Sequence, residues 1–162
     1  MPSVLFVCTG NRYRSPLAAA VFNKCLDKAE DKAEWKVGSA GTWTELGLPA
    51  DRRAIRDAKS LGLDLRSHRS RQVDAGLLSR CNLVLVMETG QKEALQVEFP
   101  QEREKIHLLS EVVAGHSYDF LDSFDDIEGP SQDDARELSN LILDGFTNIC
   151  ELAKRPEYPQ TE

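Results

Sequence analysis

Five residues separate Cys8 from Arg14, and Ser15 follows at once. A thiolate is a strong nucleophile, and a guanidinium is a planar fork that matches two oxygens of a phosphoryl group. The intervening Thr9-Gly10-Asn11-Arg12-Tyr13 is long enough to curl its backbone N–H groups around one anion. Gly10 allows a tight backbone, and Asn11 tolerates a left-handed conformation. A free thiol titrates near 8.5, so only a few per cent is ionised at neutral pH unless positive charge or N–H donors stand close. A helix beginning at the end of this stretch would supply unpaired N–H groups and a positive dipole end. The pattern therefore predicts a phosphate cradle over residues 8–15, with the Cys8 sulfur at its floor as nucleophile. The competing reading is a buried structural cysteine ahead of an ordinary helix start.

The flanking elements favour the cradle. Val4-Leu5-Phe6-Val7 is an apolar run that reads as a buried strand ending at Cys8. Pro16-Leu17-Ala18-Ala19-Ala20-Val21-Phe22 reads as a helix with proline in its first turn, extending to about Lys28. The rest of the chain keeps alternating. Trp35–Ala40 reads as a strand. Pro49-Ala50-Asp51 opens a helix with Ala54, Ile55, Ala58 and Leu61 on one face, stopped by Gly62. A short helix is expected over Val73–Ser79, a doubly covered strand over Leu83–Met87, a helix over Gln91–Phe99 and a strand over Lys105–Leu109. The last helix is expected from Gln132 to Lys154. Its buried stripe would be Leu138, Leu141, Ile142, Gly145, Phe146, Ile149 and Leu152. Strands alternating with helices predict an α/β fold, a four-stranded parallel sheet with helices on both faces, in one domain over residues 1–162. Such sheets bind ligands at the carboxyl ends of their strands, where Cys8 falls.

Composition agrees with one globular domain: 162 residues, 41% hydrophobic and 29% charged. No apolar run approaches a membrane span, and the amino terminus lacks the basic and apolar regions of a signal peptide, so a cytoplasmic location is expected. Cys8, Cys25, Cys81 and Cys150 are scattered, as free thiols would be. None pairs with a histidine at metal-ligand spacing, so no metal site is expected. A net charge of −7 argues against a general nucleic-acid partner. The basic residues Arg52, Arg53, Arg56, Lys59, Arg66, Arg69 and Arg71 crowd the middle, and the acidic Asp119–Glu137 stretch lies later. Both read mainly as solvated surface.

Val7-Cys8-Thr9-Gly10-Asn11 followed by Arg14-Ser15-Pro16 resembles the active-site loop of the low-molecular-weight protein tyrosine phosphatases. Further landmarks resemble that family in the same order: Ser39-Ala40-Gly41-Thr42, Leu61-Gly62-Leu63-Asp64 leading to Ser67-His68-Arg69-Ser70-Arg71-Gln72, Asn82–Glu88, Phe99-Pro100 and Lys105–Leu109. The resemblance covers nearly the whole chain. The short spacing from Thr42 to Gly47 is similar to bacterial members linked to capsule and exopolysaccharide kinases.

The resemblance implies a cysteine-dependent phosphatase that needs no cofactor or metal. Its substrate would be a phosphotyrosine-bearing protein, an autophosphorylating tyrosine kinase among the candidates, and the enzyme a monomer or weak dimer. It implies that Arg14 and the backbone of residues 9–15 hold the phosphate. Ser15 would hydrogen-bond the sulfur, and Asn11, Ser39 and His68 would hold the loop in shape. It also implies an acid on a late loop, usually followed by proline and an aromatic residue. Here the loop reads Phe124-Asp125-Asp126-Ile127-Glu128-Gly129-Pro130-Ser131. Counting back from the last helix gives Asp126, with Asp125 one residue of slip away. Ile127 and Glu128 replace the usual proline and aromatic. Glu128 would then face the pocket where a stacking ring usually stands, and its charge opposes a dianionic substrate. Trp43 either supplies a wall instead or is an ordinary half-buried tryptophan. Tyr13 takes the place of a frequent second loop cysteine, so a protective disulfide to Cys8 through that neighbour is impossible. Arg12 takes a position that is often apolar and influences substrate preference in the family. Two other classes stay open on the residues alone: a phosphate-binding module without turnover, and a thiol-dependent arsenate reductase. Phosphatases of other phosphorylated residues, such as phosphoarginine, stay open within the enzyme class.

Overall fold

Ser3–Cys8 form the first strand, β1, and all six residues are buried. Its side chains alternate between faces, as a pleated strand requires: Val4, Phe6 and Cys8 join one apolar cluster, Leu5 and Val7 another. In the computed structural model β1 is central. It pairs in parallel with β2 (Lys36–Gly41) on one side and β3 (Leu83–Val86) on the other, and β3 pairs with β4 (Ile106–Leu108). The sheet order is β2-β1-β3-β4, all parallel. The structure describes residues 1–30, 34–120 and 132–155.

Helices cover both faces. Helix α1 (Arg14–Lys28), α2 (Arg52–Ser60), α5 (Leu109–Ala114) and α6 (Gln132–Ala153) send Leu17, Phe22, Ala54, Ala58, Leu109, Leu138, Ile142 and Ile149 into the cluster with Val4 and Phe6. Helices α3 (Ala75–Ser79) and α4 (Thr89–Glu98) send Leu77, Leu78 and Leu95 into the cluster with Leu5 and Val7. Phe22 centres the first cluster, with the rings of Phe6, Trp35 and Phe146 at 5.7, 5.4 and 5.2 Å. This is the expected α/β architecture, a parallel sheet between two helical layers.

Local signals set most boundaries. Asp51 accepts the Arg53 N–H and starts α2; Asp74 accepts the Leu77 N–H and starts α3. Gly62, at φ +77°, ends the α2 region as expected. The expected stripe of α6 is buried at Leu138, Ile142 and Ile149, with Leu141, Phe146 and Leu152 packed against it. Gly145 lies where α5 crosses α6, and an added Cβ there would overlap Val113. Two differences stand out. Helix α1 begins at Arg14, before Pro16, so Arg14 and Ser15 belong to its first turn. Helix α5 was not expected: Leu109 reads as the end of a strand, and the β-branched Val112-Val113 mask a short helix closed by Gly115 at φ +75°. Cys8 pairs with Gly41 at the carboxyl edge of the sheet, and the site is built there.

Candidate active site

The loop from β1 into α1 closes on the Cys8 sulfur. Ser15 Oγ lies 3.0 Å from Sγ, and the Asn11 N–H donates to Sγ over 3.3 Å. Ser15 Oγ accepts from Asn11 Nδ2 at 2.8 Å, and its single proton has the sulfur as its nearer acceptor and the Ala40 carbonyl, at 3.4 Å, as the farther one. Negative charge on Sγ is thus met by two donors. The left-handed residue of the loop is Asn11, at φ +55°. Gly10, expected to provide the tight backbone, is not in that region, and a Cβ on it would meet nothing within 4 Å. The steric need for glycine falls instead at Gly41, whose Cβ would sit 2.5 Å from the Thr9 carbonyl oxygen. That closeness lets the loop lie against β2, where Thr42 and Trp43 N–H groups donate to Cys8 and Thr9 carbonyls at 2.9 and 3.1 Å.

Every polar group of Asn11 helps hold its unusual backbone. Nδ2 donates to Ser15 Oγ and to Ser39 Oγ (2.9 Å), Oδ1 accepts the Arg71 N–H (3.0 Å), and the backbone carbonyl accepts from His68 Nε2 at 2.7 Å. A carbonyl only accepts, so Nε2 carries a proton. Burial, with Arg69 and Arg71 adding to it, pushes the His68 pKa below its ordinary value despite that hydrogen bond, so the neutral ring is favoured. Ser39 and His68, expected to steady the loop, are both brought to it.

Tyr13 turns its side chain away from the loop. Its hydroxyl donates to Asp57 Oδ2 at 2.5 Å in the interior, and Arg56 Nε donates to the other carboxylate oxygen at 3.0 Å. Burial, reinforced by the Asp57 carboxylate, drives the Tyr13 pKa far up, so the phenol stays protonated. Tyr13 can therefore contribute only its backbone to a bound phosphate, and its ring ties the loop to α2.

Arg14 is buried, and its Nη1 donates to Glu88 Oε2 at 2.8 Å and to the Phe120 carbonyl at 2.7 Å. Phe120 is itself fastened, its N–H donating to the Met87 carbonyl at 2.8 Å. Glu88 caps α4 in a capping box with Gln91, and Gln91 Nε2 also reaches Thr9 Oγ1 at 3.0 Å. Glu88 and Gln91 are site residues that sequence reasoning missed. The available signal was their place just after β3, at the carboxyl end of the strand beside β1.

The rim is looser. Arg12 donates Nε to the Pro49 carbonyl at 2.9 Å and remains half-buried. Trp43 follows the strand end next to the loop, but its side chain is 85% exposed, and that of Leu46 84%. Asp125, Asp126, Ile127 and Glu128 lie outside the described residues.

A parallel α/β sheet whose first strand delivers a cysteine into a strand–loop–helix cradle, with a buried arginine behind it, defines a phosphatase of the cysteine-and-arginine loop type. The chain belongs to the low molecular weight phosphotyrosine protein phosphatase family, whose profile matches residues 3–155. It is similar to the probable low molecular weight protein-tyrosine-phosphatase EpsP of Ralstonia nicotianae, 33% identical over 122 residues covering 75% of this chain and 78% of the relative. It is also similar to a protein-arginine-phosphatase of Geobacillus stearothermophilus, 36% identical over 122 residues covering 75% and 78%. Among solved structures it resembles the YwlE arginine phosphatase in a cysteine-to-serine mutant with a phosphorylated active-site serine. That match has a TM-score of 0.81 at 26% identity and covers 96% of this chain and 97% of the other.

Proposed function

We propose that this chain hydrolyses phosphotyrosine in proteins through a cysteinyl-phosphate intermediate. The observation that carries the reading is the sulfur at the loop floor, met by Ser15 Oγ and the Asn11 N–H. The Cys8 thiolate attacks phosphorus in line as the P–O bond to the tyrosine ring breaks, and an aspartic acid protonates the leaving oxygen. Water then attacks phosphorus, the P–S bond breaks, and the same carboxylate takes the proton from water. The products are tyrosine and inorganic phosphate. Arg14 and the loop backbone stabilise the equatorial oxygens throughout. The phosphorylated active-site serine in the related YwlE mutant supports attack by the residue at this loop position. A tyrosine-phosphorylated cytoplasmic protein, an autophosphorylating kinase among them, is the proposed partner.

The acid is Asp126 by its distance from α6. A second reading has a specific observation behind it. Phe120 is tied by both its N–H and its carbonyl to the site, and Asp122 follows it two residues on in the sequence. Asp122-Ser123-Phe124 also keeps an aromatic two residues after the acid. Asp122→Asn, Asp125→Asn and Asp126→Asn separate these readings. The true acid is the one whose loss slows phenyl phosphate far more than para-nitrophenyl phosphate, whose leaving group needs little protonation.

The thiol-relay reading fares worse. Cys81 lies five residues before Val86, the register partner of Val7 next to Cys8, roughly 17 Å along the strands, far beyond disulfide reach. The decisive experiment is hydrolysis of para-nitrophenyl phosphate without added metal by the native protein and by Cys8→Ser. Turnover that vanishes in the variant is expected; no native turnover would overturn the reading. Phosphotyrosyl and phosphoarginyl peptides then decide the substrate.

A further inference from the structure

We propose that Gln91 is a positioning residue that couples the phosphate loop to the arginine clamp. The proposal rests on the phosphatase reading above and assigns Gln91 a part in it. Gln91 is buried at the start of α4, and its amide spends its full hydrogen-bonding capacity on the site. Oε1 accepts the N–H groups of Met87 and Glu88, both at 3.0 Å. Because two donors face that atom, it is the oxygen, and the amide nitrogen faces the other way. Nε2 donates to Thr9 Oγ1 and to Glu88 Oε2, again both at 3.0 Å.

The two halves of this amide do different things. The oxygen closes the capping box of α4, a task a glutamate side chain performs equally well. The nitrogen makes no bond to the α4 backbone, and its tie to the cap is the Glu88 carboxylate. It binds a residue of the phosphate loop 82 positions away in sequence and, with its second proton, the carboxylate oxygen that holds Arg14 Nη1. Glu88 Oε2 therefore receives Gln91 and Arg14 together, and Gln91 bridges β1's loop to the corner that orients the guanidinium. Thr9 is the first loop residue after the nucleophile, so its placement sets where the loop begins its turn. A bland helix cap does not require the Thr9 contact, and a glutamine is the side chain that satisfies both tasks at once.

Gln91→Glu keeps the cap oxygen and removes both donors but sets a carboxylate against Glu88, so the uncharged Thr9→Val is the arm that isolates the loop contact. Native protein, Gln91→Glu, Thr9→Val and the double variant are compared by kcat and KM on para-nitrophenyl phosphate, by binding of inorganic phosphate in calorimetry, and by melting temperature. Gln91→Glu should lower kcat tenfold or more, or weaken phosphate binding by a similar factor, while the protein still melts cooperatively. Thr9→Val, which leaves the cap untouched, should reproduce part of that loss, and the double variant should lose less than the product of the two. If Thr9→Val keeps kcat and phosphate affinity within twofold of native, Gln91 does not act through the loop, whatever Gln91→Glu shows, and the proposal falls. If the native protein binds phosphate without turning over para-nitrophenyl phosphate, the phosphatase reading fails on its own, and the phosphate arm alone decides the role of Gln91.

Discussion

The floor and the rim of the site are built on opposite plans. Cys8, Asn11, Arg14, Ser15 and Gln91 are each less than a tenth exposed; Asn11, Arg14 and Gln91 are bound by groups from other segments, and Cys8 by Ser15 and Asn11 of its own loop. The rim residues Trp43 and Leu46 stand more than four-fifths exposed, and the Arg12 side chain is held at the Pro49 carbonyl. A buried polar network is stable only when every member is satisfied, so its residues cannot change one at a time. Rim residues carry no such constraint. The comparison teaches that the chemistry on a phosphoryl group belongs to the fold, while the choice of what carries the phosphate is left to the few side chains around the mouth.

The largest expected effects come from breaking the floor. Cys8→Ser should abolish turnover of every substrate, large or small. Arg14→Lys keeps a positive charge but loses the planar fork held by Glu88 and Phe120, and kcat should fall by about 10²–10³. Steady-state kinetics on para-nitrophenyl phosphate measure both. An Arg14→Lys variant with near-native kcat would mean that the buried guanidinium serves packing and that the floor is less specific than its geometry implies.

Next comes the anchor beneath the floor. Tyr13→Phe removes the donor that meets Asp57 Oδ2 and leaves Arg56 on the other oxygen, in a side chain that is fully buried. Losing a hydrogen bond to a buried charged group costs about 1.5–3 kcal/mol. Denaturant unfolding should show that loss, and Tyr13→Phe should lose stability more than it loses kcat. A variant of native stability would show that Asp57 finds another donor.

The contrast also explains what could be read from the residues alone. The cradle was legible because its parts are contiguous: an apolar strand, Cys8, a Gly-Asn pair, then Arg14-Ser15-Pro16 at a helix start. β1 and β3 were legible from short apolar runs, and β2 and β4, which carry Lys36, Ser39 and His107, from their place in the alternation of strands with helices. Asp57, Glu88 and Gln91 were not, because their roles exist only once β1 and β3 are neighbours and α2 packs below the loop. Asn11 takes the left-handed backbone it was expected to tolerate, whereas the close approach that needs a glycine falls not at Gly10 but at Gly41 on the adjacent strand, which admits the Thr9 carbonyl. Trp43 was open between wall and half-buried residue, and its exposure places it at the rim.

A smaller effect concerns His68, which joins rim to floor through the Asn11 carbonyl. Burial holds its folded pKa below the unfolded value of about 6.5, so the folded protein binds fewer protons there than the unfolded chain. Its contribution to stability is full above that value and is lost as pH falls through the folded pKa. His107, on β4, is lowered for the same first reason and acts in the same direction. His68→Gln keeps a donor for the carbonyl and cannot titrate. Urea midpoints at pH 7.5 and pH 5 should therefore converge in the variant, though His107 preserves part of the difference. An unchanged gap would assign the whole pH dependence elsewhere.

The smallest expected effect is the one that sharpens the comparison most. Trp43 is exposed to solvent over most of its surface, so with Trp43→Ala kcat and KM on para-nitrophenyl phosphate should stay native. An aromatic pair between Trp43 and a phosphotyrosine ring or its flanking residue is worth about 0.5–1.5 kcal/mol, roughly a two- to tenfold loss in kcat/KM on a phosphotyrosyl peptide. A phosphoarginyl peptide offers a charged, flexible chain instead of a ring and should lose less. If Trp43→Ala weakens the phosphotyrosyl substrate alone, the rim reads the aromatic carrier and the tyrosine assignment gains its physical basis. If both peptides fall together, Trp43 grips the polypeptide rather than the phosphorylated side chain. The selectivity then belongs to Arg12, whose guanidinium at the mouth favours acidic flanking residues whatever the phosphate is attached to.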